Sequence, residues 1–226
     1  MTTLVFVLQS PDVTPTWLSR VAAAIAVQLA RDVAPMWLLG WPEVDTRVYE
    51  RIPDAPRGSL PIVLLADADV AGTFGYHDAT AEGVPYARVF TRGQTLDGVS
   101  QTASHEALEA LVDPSANRWV DGPEGLAYAL DAADPVEGEG YRIDVGGASI
   151  QVADFVLPAW FEPATSADEP TDLLGRLRGP FRLAKAGYAI RRAPAGLLDT
   201  TPPEAARSPA QRHPASRMAR RQRRLP

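Results

Sequence analysis

Apolar and polar positions divide this chain into segments with distinct periods. Residues 3–9, TLVFVLQ, are a short apolar run and predict a buried strand. Val21, Ala24, Ile25 and Leu29 then recur at helical spacing, which predicts a helix opening near Thr14 or Thr16 and closing at Pro35. DTRVYERI (45–52) alternates and predicts a strand, and LPIVLLAD (60–67) is the continuous run expected of a central strand. A polar loop carrying GYHD (75–78) follows, and then PYARVFTRG (85–93), whose alternation predicts a short edge strand. Residues 99–112 predict a helix stopped at Asp113-Pro114, because the residue before proline disfavours helical backbone.

The second half is less regular. GLAYALDAADPVE (125–137) predicts a short helix, and YRIDVGGASIQVADF (141–155) a hairpin turning at Gly146-Gly147. FVLPAWFEP is apolar but broken by proline, so a packed loop is expected, with a polar linker over 163–175. FRLAKAGYAIRRA (181–193) predicts a last strand or hairpin, and from about 199 the chain has no periodicity and reads as disordered. Four of the five tryptophans, at 17, 37, 119 and 160, are expected in the core rather than as substrate platforms.

Composition narrows the chemistry. With 226 residues, 46% of them hydrophobic, the chain can bury one sizeable core. It has no cysteine, which excludes disulfides, thiolate metal sites and thiol catalysis. Any metal must be held by His, Asp, Glu or backbone oxygen. The apolar N-terminal run is too short for a signal peptide, and no run approaches the ~18 apolar residues of a membrane span. A cytoplasmic protein without membrane contact is therefore expected. A single lysine beside abundant Arg, Ala, Gly and Pro suggests a GC-rich bacterial genome. The net charge of −6 hides an asymmetry: setting aside the seven arginines and one acid of 204–226 leaves 15 basic and 27 acidic residues, a net of −12 in the body. The arginine-rich tail could contact nucleic acid, but it has no interleaved aromatics, and a solvated tail explains it equally well.

The chemistry concentrates in ASHEALEALVDPSANRW, residues 103–119. On a helix, His105 and Glu109 are one turn apart with their Cβ atoms about 6 Å apart, a spacing at which both can grip one ion. Glu106 lies about 100° round the helix, where zinc hydrolases place the base that takes a proton from the attacking water. A carboxylate in place of a second histidine makes the site oxygen-rich, so Mn, Fe or Ca compete with zinc. A third ligand must come from elsewhere. Asp113 ends the same helix, and Asp131, Asp134 and Glu137 follow at spacing three. Asp131 sits 22 residues beyond Glu109, the kind of separation at which one branch of zinc peptidases supplies its last ligand from a second helix, with a further acid orienting a histidine. His77 and Tyr76 in GYHD are candidates to stabilise an oxyanion. An ordinary amphipathic helix with His105, Glu106 and Glu109 on its surface would show the same spacing, with Leu108, Leu111 and Val112 as its core face. Asp131 and Asp134 could likewise be a cap or a solvated turn, and His77 a loop histidine.

The order of these segments resembles a group of zinc-dependent metallopeptidase-like proteins of bacteria and phages, distantly similar to the phosphate-induced, EXORDIUM-like plant proteins. Their pattern, Ser/Ala-His-Glu-x-x-Glu, then Asp/Asn-Pro, Asn and Trp, is matched by His105, Glu106, Glu109, Asp113, Pro114, Asn117 and Trp119. The later acid-x-x-Asp is matched by Asp131 and Asp134, with Asp131 where the pattern has Glu. VQLARDVAPMW (27–37), GYHDATAEGVPYARVF (75–90) and VADFVLPAWF (152–161) are also similar, so the resemblance covers 3–162.

The β-α-β-β-β-α order is that of the zincin peptidases, whose strand before the motif helix can pair with an extended peptide. The expectation is an α+β, zincin-like mixed sheet with an N-terminal helix and an active-site helix. Residues 1–162 would form the metal-binding domain, 163–198 an extension packed on it, and 199–226 a disordered tail. The expected function is a metal-dependent hydrolase, a peptidase acting on peptide or protein, with zinc first among the candidate ions. His105 and Glu109, with one of Asp113, Asp131 and Asp134, would hold the ion, and Glu106 would be the base. The alternative is a non-catalytic metal-binding or interaction protein on a degenerate peptidase scaffold.

Overall fold

Strand β1 (Thr3–Leu8) is the apolar run expected at the start of the chain, and it lies inside a five-stranded sheet. The computed structural model describes residues 2–37, 40, 43–70, 72–193 and 198–201. Helix α1 (Pro15–Gln28) opens at Thr14, whose side chain accepts from the Trp17 amide at 3.2 Å. It does not close at Pro35. A π-helical turn over Leu29–Val33 passes into α2 (Ala34–Trp37), and Pro35 falls in the first turn of this fresh helix, where no amide donor is required.

The sheet continues with β2 (Glu43–Tyr49), β3 (Leu60–Leu65), β4 (Gly75–Ala79) and β5 (Pro85–Phe90), in the order β2-β1-β3-β5-β4. All pairs are parallel except β4 with β5. The fold is thus α+β around a mixed sheet. The structure corrects one expectation here. GYHD is not a loop but most of β4, and β4 rather than PYARVF is the edge.

Helix α3 (Leu96–Val112) is capped by Thr95, which accepts from the Gly98 amide, and ends at Asp113, as the proline rule requires. Its Val99, Ala103, Ala107 and Ala110 pack with Leu4, Phe6, Ile62, Leu64, Ala87 and Val89 on the inner face of the sheet. A hairpin of β8 (Gly140–Val145) and β9 (Ala148–Ala153), turning at Gly146-Gly147 as expected, covers the helices from the other side with Ile143, Ile150 and Val152. α3 is therefore enclosed between sheet and hairpin and buried all round, unlike a surface helix.

A smaller antiparallel sheet is built from both halves of the chain. β6 (Trp119–Asp121) and β7 (Ala127–Ala129) pair with β10 (Ala189–Arg192) and β11 (Leu198–Thr201) in the order β11-β10-β7-β6. Residues on both sides of the expected boundary at 162 thus share one sheet, and 199–201 lie in a strand where a structureless tail is expected. Residues 202–226, including all seven arginines of the tail, lie outside the described residues. The predicted helix over 125–137 is absent: β7 is followed by an irregular segment and a 3-10 turn at Asp134–Val136. The WF pair of the proline-broken segment packs as expected. Trp160 is fully buried against Phe161 and Phe181, with ring centroids 4.7 and 5.2 Å away.

One buried polar triangle ties three of these elements together. Gln28 at the end of α1 donates to the Ala153 carbonyl of β9 at 2.8 Å. Ser104 of α3 donates to Gln28 Oε1 at 2.8 Å and accepts from the Ala153 amide at 2.9 Å. Ser104→Ala would leave the Gln28 oxygen and the Ala153 amide buried without this partner, and should lower unfolding stability by about 1–3 kcal/mol. Urea denaturation of wild type and variant measures this directly.

Candidate metal centre

Ser104 precedes His105, so the same triangle that fastens α3 fixes the start of the His-Glu-x-x-Glu turn. His105, Glu106 and Glu109 are all buried, Glu109 completely. This removes the alternative of a surface helix with solvated His and Glu. Three further elements meet this turn. β4 brings His77, whose partner Ala87 in β5 faces α3. The segment after β7 brings Asp131, and the 3-10 turn brings Asp134, with Glu137 at its end.

Gly75 is what lets β4 approach so closely. A Cβ there would lie 2.6 Å from Thr102 Cγ2 and 2.8 Å from Glu106 Oε1. The other wall is held by the backbone: Tyr188 and Ala184 donate their amides to the carbonyls of Asp134 and Pro135, each at 2.9 Å.

The resulting contacts are short and specific. His105 Nε2 lies 3.2 Å from Glu109 Oε1 and 3.1 Å from Asp134 Oδ1, and its Nδ1 lies 3.2 Å from Glu137 Oε2. His77 Nδ1 lies 3.3 Å from Glu109 Oε2 and 3.6 Å from Glu106 Oε2. Glu109 Oε1 also accepts from the amides of Ala133 and Asp134, at 3.3 and 3.2 Å, which fixes its carboxylate plane. Two sets of donor atoms fall within 4.8 Å of one another and could each hold a metal ion: His77, Glu109 and Asp131, and His105, Glu109 and Asp134.

The residues singled out from sequence divide accordingly. His105, Glu109, Asp131, Asp134 and His77 converge, with Glu106 beside His77. Asp113 stands apart from both sets; its Oδ2 accepts from the Arg118 amide at 2.9 Å and turns the chain out of α3. Tyr76 faces the opposite side of β4 from His77, as strand alternation requires, and donates to Asp69 Oδ2 at 2.7 Å. Asp131, Asp134 and Glu137 do not share a helix face. They reach the site because an irregular segment folds over α3. The spacing of these acids was visible in the sequence; the contribution of Gln28 and Ser104 was not, because neither residue carries a metal or catalytic signature.

The donor set fits a divalent cation. Four carboxylates, Glu106, Glu109, Asp131 and Asp134, are buried together, and this is costly unless positive charge accompanies them. His77 is 4% exposed, and both of its ring nitrogens are buried without a hydrogen-bond partner. Both imidazoles respond to the surrounding charge. Burial lowers the His77 pKa, but the neighbouring carboxylates of Glu106 and Glu109 outweigh it and raise the value to about 9. His105 is likewise penalised by burial, yet Glu109, Glu137 and Asp134 raise it well above the ordinary range.

No family model matches the chain, and searches of curated proteins and of solved structures give no match. None of these comparisons bears on the resemblance to metallopeptidase-like proteins, which rests on the order of the sequence motifs alone. Among the described residues, no helix is long and apolar enough to cross a membrane.

The raised histidine pKa sets a sign for pH dependence. In metal-free protein the His77 contribution is fully present below its unfolded value of about 6.5 and is lost as pH rises through about 9. With chelator present, His77→Gln should be less stable than wild type at pH 6, and the gap should close by about pH 10. Urea midpoints of the two proteins at both pH values test this.

Proposed function

We propose that this chain is a metal-dependent hydrolase of the zincin type, acting on peptide or protein. The reading is carried by one observation: His105, Glu109 and Asp134 place three ligand atoms within 4.8 Å of one another, with Glu106 on the same helical turn as His105 and Glu109. A divalent ion, with zinc the first candidate, would polarise the scissile carbonyl and acidify water toward pKa ~7. Glu137, at His105 Nδ1, would orient that imidazole and leave Nε2, beside Glu109 and Asp134, to hold the ion. Glu106 accepts the proton from the attacking water and passes it to the leaving amine. His77, beside Glu106, stabilises developing negative charge. Asp131 replaces the Glu of the family pattern, and Asp134 makes the contact to His105.

A second reading has its own observation. All five residues of the edge strand β4 are buried, and Glu137 is the one partner of His105 with substantial exposure, at 34%. An enclosed site of this kind suits a non-catalytic metal-binding or interaction protein on the same scaffold.

The two readings separate on Glu106→Gln. For a hydrolase, metal content measured by mass spectrometry is retained and hydrolysis of peptide substrates falls by about 10²–10⁴-fold. If wild type carries stoichiometric metal yet cleaves no peptide or protein, the second reading holds. If wild type carries no metal and takes up none, both fail.

A further inference from the structure

Two ligand sets meet in this site. They share a single residue, Glu109, and otherwise draw on different side chains: His77 and Asp131 on one side, His105 and Asp134 on the other. The two oxygens of Glu109 are divided between them. Oε1 faces His105 Nε2 at 3.2 Å and Oε2 faces His77 Nδ1 at 3.3 Å. A carboxylate with each oxygen turned to a different imidazole is arranged as a bridge between two cations, an arrangement used in two-metal hydrolases.

Charge points the same way. Glu106, Glu109, Asp131, Asp134 and Glu137 crowd two histidines, which must be neutral to act as ligands. One divalent ion would leave three of the five carboxylate charges uncompensated, and two would leave one. The His77 side also carries the independent sign of a missing ligand, since this imidazole is more than nine-tenths buried and neither of its nitrogens, including the Nδ1 turned to Glu109, has a hydrogen-bond partner.

We infer that the chain binds two divalent cations, one held by His105 and Asp134 and one by His77 and Asp131, with Glu109 bridging them. This rests on the metal-centre reading above and extends it. Each ion has one imidazole and carboxylate oxygens, a hard donor set that takes first-row ions such as Mn²⁺ or Zn²⁺. It assigns His77 to an ion rather than to an oxyanion, and leaves Glu106 next to the second ion.

The test is stoichiometry on the full chain, stripped with chelator and reloaded by equilibrium dialysis against Mn²⁺ or Zn²⁺. Wild type should hold two ions per chain. His77→Gln and Asp131→Asn should each hold one, and the Mn²⁺-loaded wild type should give an exchange-coupled electron paramagnetic resonance spectrum that either substitution replaces with that of an isolated ion. One ion per chain in wild type overturns this inference and leaves the hydrolase reading standing, whereas none overturns both. Two ions with uncoupled spectra overturn the bridge. The wild-type count decides the matter even where a variant does not fold.

Discussion

The arrangement of this protein turns on a buried concentration of like charge. Glu106, Glu109, Asp131 and Asp134 lie together in the interior, and Glu137 closes the rim. Carboxylates repel one another and lose hydration on burial, so such a group survives only with positive charge and fixed donors among it. The two histidines and the amides of Ala133 and Asp134 supply part of this within the chain itself. Divalent cations are the natural supplement, because they bring two charges each into a space lined with oxygen and imidazole nitrogen.

Holding such a group in place requires stiff walls, and the surrounding fold provides them on every side. α3 is clamped between the sheet and the β8–β9 hairpin, and the Gln28–Ser104–Ala153 triangle fixes its rotation at the residue before His105. Gly75 allows β4 to press His77 against the helix without a side chain intervening. Opposite, Gly187 makes a similarly close approach to Pro135, where a Cβ would collide with the carbonyl oxygen. The segment 184–188 thereby pins Asp134 through backbone hydrogen bonds. The small sheet, assembled from residues before and after the site, keeps this second wall attached to the first.

Much of the framework was legible from local pattern. The apolar run of β1, the Thr14 start of α1, the stop of α3 at Asp113-Pro114 and the Gly146-Gly147 hairpin each follow from short-range rules of backbone geometry and periodicity. What failed did so for long-range reasons. GYHD has the polarity of a loop, yet it pairs with β5 because its register sets His77 opposite Ala87, facing α3. DAADPVE has the acid spacing of a helix, but Ala127–Ala129 is taken up as a strand between β6 and β10, and the acids follow in a turn. In both cases a tertiary partner overrode the local preference.

The sequence by itself named the candidate side chains. It excluded thiolate ligands, placed His105, Glu106 and Glu109 on one helix, offered Asp113, Asp131 and Asp134 as further ligands, and set His77 and Tyr76 aside as oxyanion stabilisers. Only the tertiary structure decided that this helix is enclosed rather than amphipathic, that Asp113 and Tyr76 point elsewhere, and that Glu109 turns one oxygen to each histidine. The physical reason is that ligand identity is a property of side chains, whereas coordination depends on distances between residues remote in sequence. Those distances are set by strand register, close glycine contacts and buried hydrogen bonds, and no local pattern encodes them.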